Sequence, residues 1–422
     1  MKTLIYVGAH QGNSLANFVN LYNKIYAFEA NPHFCKILKQ RFQNNSNVEI
    51  INAAICEKHN DFLEFNISKN NGDSSSILEA NPDNELYFDI ISNQKVKVPT
   101  VNLCNFFDEK NIDYVDSYIS DIQGYDLIVL KTLKPYIEAG KINSIQCEVE
   151  KNDKISIYKN SDIENTNKEK NFDLFLKDRY KKVASGWGYL ENGKLEDVPD
   201  NWCEYDVKWE LKKNLVLITS VINVNSNTDS IYTSEQRLDQ TIDLTIKSIK
   251  EKIPNSYIIV LEGSKINKED VLKYKNSKIN ELVYIDINGL NKSYGELTLI
   301  SEYLNSESFK KLGAIDTISK ISGRYYLTDG FIFDDSIYKI NKVTKNTWTN
   351  KSLCNTRYYK FPIEHCQIFK EKIKYLLNNK KINIDIEHSF YEYDILPMNL
   401  IENDNKIHLK GNLAPDGIEI LD

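Results

Sequence analysis

A short apolar strand that runs directly into a glycine turn constrains this chain more than any other feature. Leu4, Ile5 and Val7 have the continuous apolar character of a buried parallel strand. The run ends in Gly8-Ala9-His10-Gln11-Gly12. Ser14 to Asn23 then reads as a helix, with Leu15, Phe18, Val19 and Tyr22 on one face. A second apolar strand, Ile25 to Phe28, closes on Glu29, seventeen residues after Gly12. This is half of a nucleotide-binding βαβ unit, in which the glycines let backbone approach a ligand and the acid accepts ribose hydroxyls. The turn lacks the G-x-G-x-x-G spacing that seats a pyrophosphate. An adenosyl ligand without phosphates needs less, which favours S-adenosylmethionine over a dinucleotide. Gly8, Ala9, His10, Gly12, Ser14, Glu29 and Ala30 are the cofactor candidates on this unit.

The strand and helix alternation continues to about residue 150. Strands are expected at Val48 to Ile55, Phe62 to Ser68, Lys95 to Val101, Tyr114 to Ile122 and Ile142 to Val149, with a helix over Leu127 to Ile137. The rhythm predicts a doubly wound sheet with helices on both faces. Asn52 and Ala53 end the third strand, where adenine would lie. Asp121 opens the segment that ends a central strand, and Cys147-Glu148-Val149-Glu150 ends the next. Ligands of such sheets lie beyond the carboxyl ends of the strands, so Glu29, Asp121 and Glu148 should converge on one cleft.

VGAHQG, AFEANP, INAAI, DIQGYDLIVLK and QCEVE, in this order, resemble the FkbM family of S-adenosylmethionine-dependent methyltransferases. The resemblance implies a Rossmann-like methyltransferase fold and methyl transfer to a hydroxyl, often on a sugar. The chain departs from the family pattern at Tyr6, where an acid is usual, and at Ile119, where a lysine is usual. Methylating an alcohol requires a base and in-line placement against the methyl donor. Asp121 is the base candidate, with Glu148 as its partner; the pair could also serve a divalent metal, which would lower the pKa of the acceptor hydroxyl. Ser75, Ser76 and Gln123 are candidates for contact with the acceptor, and Trp187 and Trp202 could stack on a pyranose face. A methyltransferase acting on a small molecule or protein unrelated to glycans is the alternative.

At Asn214 the pattern restarts. Leu215 to Val221, Tyr257 to Leu261 and Leu282 to Ile287 read as strands, and Ser234 to Lys252 as an amphipathic helix. Two domains follow, 1–213 and 214–422. RLDQTIDLTIKSIKEKIPNSYIIVLEGS, KSYGELTLI and KISGRYYL resemble nucleotide-diphospho-sugar transferase-like domains, implying a mixed α/β, GT-A-like glycosyltransferase domain that takes a nucleotide-sugar donor. No D-x-D pair stands at KISGRYY, so Lys320 and Arg324, flanking Gly323, are expected to neutralise the diphosphate directly. Ser220, Arg237 and Glu262 are further substrate candidates. Asp286, Asp329 and Glu387 are candidates for the base. The alternative is a non-catalytic module that holds a glycan acceptor. The whole would then be a bifunctional glycan-modifying enzyme.

A net charge of −7 argues against nucleic acid as the main partner. No apolar run is long enough to span a membrane. The opening strand leaves no room for a signal peptide. Seven dispersed cysteines without C-x-x-C pairs read as free thiols, not a zinc site. Cytoplasm is the expected compartment, a host's cytoplasm if the source is viral.

Overall fold

The computed structural model describes residues 2–91, 94–160, 162–186, 198–223, 232–287, 289–334, 338–343, 352–381, 385–396, 407–412 and 419–421. The chain divides into two compact units, Met1–Leu211 and Lys212–Asp422. Among the described residues no helix is long and apolar enough to cross a membrane. All seven cysteines are free.

The first unit contains strands β1 (Thr3–Val7), β2 (Lys24–Glu29), β3 (Val48–Asn52), β4 (Ala54–Ile55), β5 (Phe62–Asn66), β6 (Lys95–Val101), β7 (Ser117–Ser120), β8 (Ser144–Glu150), β9 (Tyr180–Gly186) and β10 (Glu204–Leu211). Seven of them form one sheet in the order β3-β2-β1-β7-β8-β10-β9. The first five are parallel, and β10 runs antiparallel between β8 and β9. The two-residue period of β1 feeds both faces. Leu4 and Tyr6 join one core cluster with Ile25 and Ala27. Ile5 and Val7 join the other with Tyr26, Phe28 and Tyr118. Strand order reverses at β1, between β2 and β7, and that crevice is where such a sheet takes its ligand.

Several expected elements differ. The helix over Ser14 to Asn23 is one short 3₁₀ turn, Leu15–Phe18, and Ser14 makes no side-chain cap. The expected strand Val48 to Ile55 splits in two. The Asn52 amide donates to the carbonyls of Glu29 and Ala30, and Ala54–Ile55 leaves the main sheet to pair with β6. Strand β6 also pairs with β5, so Lys95 to Val101 belongs to a small separate sheet. The helix over Leu127 to Ile137 breaks at Leu133 into Asp126–Thr132 and Lys134–Glu138, because Pro135 has no N–H for the Lys131 carbonyl and its ring crowds that turn. Trp209, in β10, stacks on Phe172 at 5.6 Å and donates to Asp173.

The second unit contains β11 (Lys213–Ser220), β12 (Ser256–Glu262), β13 (Glu281–Tyr284), β14 (Ile315–Ser322), β15 (Tyr325–Leu327), β16 (Lys339–Val343), β17 (Leu353–Pro362), β18 (Leu409–Asn412) and β19 (Glu419–Leu421). Its main sheet has the order β13-β12-β11-β14-β17-β16, with the first four parallel, β17 antiparallel to β14, and β16 antiparallel to β17. This is a mixed α/β unit. Leu215 and Leu217 face one cluster, Val216 and Ile218 the other. The helix from Ser234 to Lys252 is continuous but passes through a π segment, Gln240–Ile246. There the Thr241 and Thr245 hydroxyls donate to the carbonyls of Gly323 and Tyr325, which ties the widened turn to the strand ends.

Candidate active site

The turn after β1 is held by Gly8 N and Ala9 N, both donating to the Phe28 carbonyl at 3.0 Å. Gly8 has φ +84°, and a β-carbon there would lie 1.8 Å from the Asp121 carbonyl oxygen. Only glycine lets the ends of β1 and β7 close on each other in this way. Gly12 has a different role from the expected one. A β-carbon there would meet Leu38 and Phe42 at 2.6 Å, so its bare backbone serves packing against the helix Pro32–Arg41.

Glu29 closes β2 with both carboxylate oxygens anchored. His10 N donates to Oε2 at 2.6 Å and Asn31 N to Oε1 at 2.7 Å. Burial pushes its pKa up to about 7, with Asp121 adding to the rise and the two backbone donors opposing it. The carboxylate is therefore rigid and only partly ionised at neutral pH in the free protein.

Across the crevice, Asp121 is exposed at the end of β7. It does not cap the following helix. Asp126 braces that turn instead, accepting from Ser120 Oγ at 2.5 Å, Ile122 N at 3.1 Å and Asn167 Nδ2 at 2.9 Å. Burial raises the Asp126 pKa to about 7. Gln123, with φ +57°, donates from one amide nitrogen to Asp121 Oδ1 at 2.7 Å and to Glu148 Oε2 at 2.8 Å. Tyr158 donates to the Gln123 oxygen at 2.7 Å. Burial, and next the charge of Asp121, push Glu148 well above the usual carboxylate range. Asp206, opposite Glu148 on β10, is raised to about 7, mainly by burial. The two carboxylates bridged by Gln123 thus have different environments, one exposed and one partly buried.

A cleft enclosing about 590 Å³, its open mouth included, lies at the crevice. Gly8, His10, Glu29, Ala30, Ala53, Ser75, Asp121 and Gln123 line it, with Phe28, Ile55 and Ile122 as apolar walls. Ala9, Gly12, Ser14 and Asn52 do not line it. Ala9 is buried in the core, and Asn52 clamps backbone. Glu148 stands behind Gln123 rather than on the cleft wall. The loop Asn70 to Ser76 roofs the cleft, and His10 rests on Phe34 at 4.0 Å with its Nε2 3.3 Å from Asp73. Ser75 Oγ donates within that loop to Gly72 O, and Ser76 Oγ donates to Gln123 O. Ser76 and Tyr158 face a second cavity of about 790 Å³, its open mouth likewise included, with Ser68, Ser74, Tyr87, Lys95 and Lys159.

Among the described residues no three His, Cys, Asp or Glu side chains are grouped to hold a metal ion, and the Gln123 amide already bridges Asp121 and Glu148. Trp187 lies outside the described residues, and Trp202 is not on the cleft wall. Tyr158 and Asp126 were missed in the sequence. Tyr158 follows β8 by eight residues in a polar stretch, and only its hydrogen bonds give it a role.

In the second unit, Lys320 and Arg324 do not act together. Lys320 is buried, ion-paired with Glu296, and donates to Ser322 Oγ at 2.9 Å and Thr356 O at 2.7 Å. It lies near the carboxyl end of β14, but its side chain is committed to these buried partners, so it does not meet a diphosphate. Glu387 accepts from Thr356 at 3.2 Å, on this same buried network. Asp329 is fully exposed and paired with Lys252 at 2.9 Å, on the surface. Glu262 is fully buried, and its Oε1 takes Ile222 N, Ser264 N and Ser264 Oγ, so it fastens strand ends. Ser220 Oγ lies 3.3 Å from the Tyr274 hydroxyl. Asp286 is exposed beyond β13. Arg237, Gly323 and Arg324 lie near the carboxyl ends of β11 and β14.

Residues 7–174 match the family model described as Methyltransferase FkbM domain, so a methyltransferase domain of FkbM type occupies this stretch, which is less than half of the chain. No curated protein matches the chain. Among solved structures, an rRNA methylase from Streptococcus thermophilus is similar at 11% identity, over 50% of this chain and 87% of that one, with a TM-score of 0.26. A putative methyltransferase from Streptococcus mutans in complex with SAH is similar at 11% identity over 50% and 89%, with a TM-score of 0.27. Aeropyrum pernix fibrillarin with natively bound S-adenosyl-L-methionine is similar at 12% identity over 49% and 66%, with a TM-score of 0.26. Likeness at these scores carries no argument.

Proposed function

We propose that the first unit transfers a methyl group from S-adenosylmethionine to a hydroxyl of a sugar or sugar-like acceptor. The observation that carries this is the crevice itself. The anchored Glu29 carboxylate and the Asp121–Gln123–Glu148 bridge face each other across Gly8, within the stretch that matches the FkbM domain. The residues fit the cofactor. Glu29 can accept two ribose hydroxyls, Phe28, Ala53, Ile55 and Ile122 can enclose an adenine, and the acids suit a sulfonium cation. The bound cofactor supplies an electrophilic methyl group. Asp121, open to the cleft, accepts the acceptor's hydroxyl proton, while Gln123 fixes its orientation. Glu148, held towards its protonated form, keeps the pair from carrying two full charges.

The acceptor side is the second cavity, whose serines, Tyr87, Tyr158, Lys95 and Lys159 suit a polyhydroxylated ligand. The net charge of −7 supports such an acceptor over a nucleic acid. For the second unit we retain sugar transfer from a nucleotide-sugar donor, with a non-catalytic glycan-holding module as the rival. Its parallel sheet with a reversal of strand order between β11 and β14 supports small-ligand binding under either reading. Release of free sugar from a nucleotide sugar by the full chain separates them.

Calorimetry tests the cofactor assignment. Glu29→Ala should weaken S-adenosylmethionine binding by roughly 1.5–3 kcal/mol, the range for hydrogen bonds to a charged group. Unchanged affinity in a folded variant removes Glu29 from the site.

A pH dependence follows from the same carboxylate. The ionised form accepts the ribose hydroxyls, and the free-protein pKa is about 7. Binding is therefore full above that value and is lost as pH falls through it, by up to about tenfold per unit. Glu29→Gln should bind more weakly and abolish this slope. A wild-type affinity that is flat from pH 6 to 8 contradicts the assignment.

A further inference from the structure

We propose that the carboxyl end of the second sheet carries an anion site, built by Arg324 and Arg357 at Tyr325 with Arg237 near Arg324, that takes a diphosphate-bearing ligand. It stands whether that unit transfers sugar or only holds one, and it does not depend on the methyltransferase reading.

Three elements bring the arginines together. Tyr325 opens β15 immediately beyond the β14 turn and is buried. The Arg324 guanidinium carbon lies 5.8 Å from its ring centroid and that of Arg357 lies 5.5 Å from it. Arg357 comes from β17, the antiparallel neighbour of β14. Arg237 comes from the first turns of the long helix, and its Nη1 donates to the Val221 carbonyl at 3.3 Å, just past β11. The helix is fastened to the same spot, because Gln240 donates to Arg324 O at 2.8 Å and Thr241 to Gly323 O at 3.0 Å.

The place is the reversal point of this sheet, since β11 is flanked by β12 on one side and β14 on the other. Open parallel sheets bind ligands beyond that point. Among the described residues the Arg324 side chain makes no hydrogen bond or ion pair; its contact is with the Tyr325 ring. A guanidinium held beside a ring, with no ion pair of its own, keeps donors open for phosphate oxygens. Burial, and next the charge of Arg324, lower the Arg237 pKa, while the charge of Glu262 opposes the fall. An anion with two or more negative charges is attracted to cations gathered on one partly desolvated surface. Lys320, the cation expected here from sequence, is buried against Glu296 and takes no part.

The test is calorimetric titration of the full chain with inorganic pyrophosphate and, separately, with uridine diphosphate. Pyrophosphate binding that weakens at least about tenfold in Arg324→Ala, and recovers only in part in Arg324→Lys, supports the site, because lysine lacks the two-pronged planar geometry. Lys374→Ala, on an exposed helix position, should bind as wild type. Equal affinity for the two probes identifies the diphosphate alone as the recognised group. Tighter binding of uridine diphosphate by about tenfold or more identifies a nucleotide as the source. Absence of binding by both, or affinities untouched in Arg324→Ala and in Arg357→Ala, overturns the proposal. S-adenosylmethionine binding measured on the same samples reports on the first unit, and circular dichroism confirms that each variant is folded.

Discussion

Asp121→Asn is expected to lower the rate of methyl transfer by about 10²-fold or more while leaving cofactor affinity within about threefold of wild type. The substitution keeps the shape and both neighbours of the side chain. Gln123 can still donate to the remaining oxygen, as it does now at 2.7 Å. What disappears is the capacity to take a proton from the acceptor hydroxyl. Glu148 cannot replace it, because it stands behind Gln123 and burial keeps it towards the protonated state. Single-turnover rates with a methylated product identified by mass would read the effect, and calorimetry would read the affinity. A near-wild-type rate would falsify the assignment of the base to Asp121. A parallel loss of cofactor affinity would mean that Asp121 chiefly shapes the cleft.

Gly8→Ala should remove cofactor binding and destabilise the first unit by roughly 3 kcal/mol, through left-handed strain added to a steric clash. The backbone there has φ +84°, and the new methyl would sit 1.8 Å from the Asp121 carbonyl oxygen. That oxygen is fixed, since Asp121 N donates to Val7 O at 3.0 Å and so ties the two strand ends together. Relief requires β1 and β7 to part at the mouth of the cleft, which displaces Asp121 from Glu29. Thermal unfolding followed in both units, together with titration of S-adenosylmethionine, would test this. Gly12→Ala offers a contrast. It shares the left-handed strain, with φ +76°, but its neighbours at 2.6 Å are the side chains of Leu38 and Phe42, which can shift where a backbone carbonyl cannot. Some cofactor binding should therefore survive in that variant.

The local pattern of this chain determined its strands, their two-faced burial and the acids at their ends. β1 and β11 are runs of apolar residues that no solvent-facing strand would carry, and both lie central in their sheets. Glu29 and Asp121 were legible because a polar side chain immediately after such a run must emerge at the strand end. Element lengths were less legible. Asn52 ends β3 through hydrogen bonds to residues 22 and 23 positions away, which no window of sequence reveals. The bridge from Glu148 through Gln123 to Asp121, with Tyr158 behind it, exists only once β7 and β8 lie side by side.

The second unit shows the same division more sharply. Lys320 and Arg324 are four residues apart in sequence, yet one is sealed in a buried ion pair and the other lies on Tyr325. Arg357 joins Arg324 from a strand thirty-odd residues later, through antiparallel pairing that composition and spacing do not encode. Charge is a property of the residue and can be read one letter at a time. Whether a charge meets a ligand, a counter-ion or the core depends on direction and burial, and these arise only when distant strands are brought together.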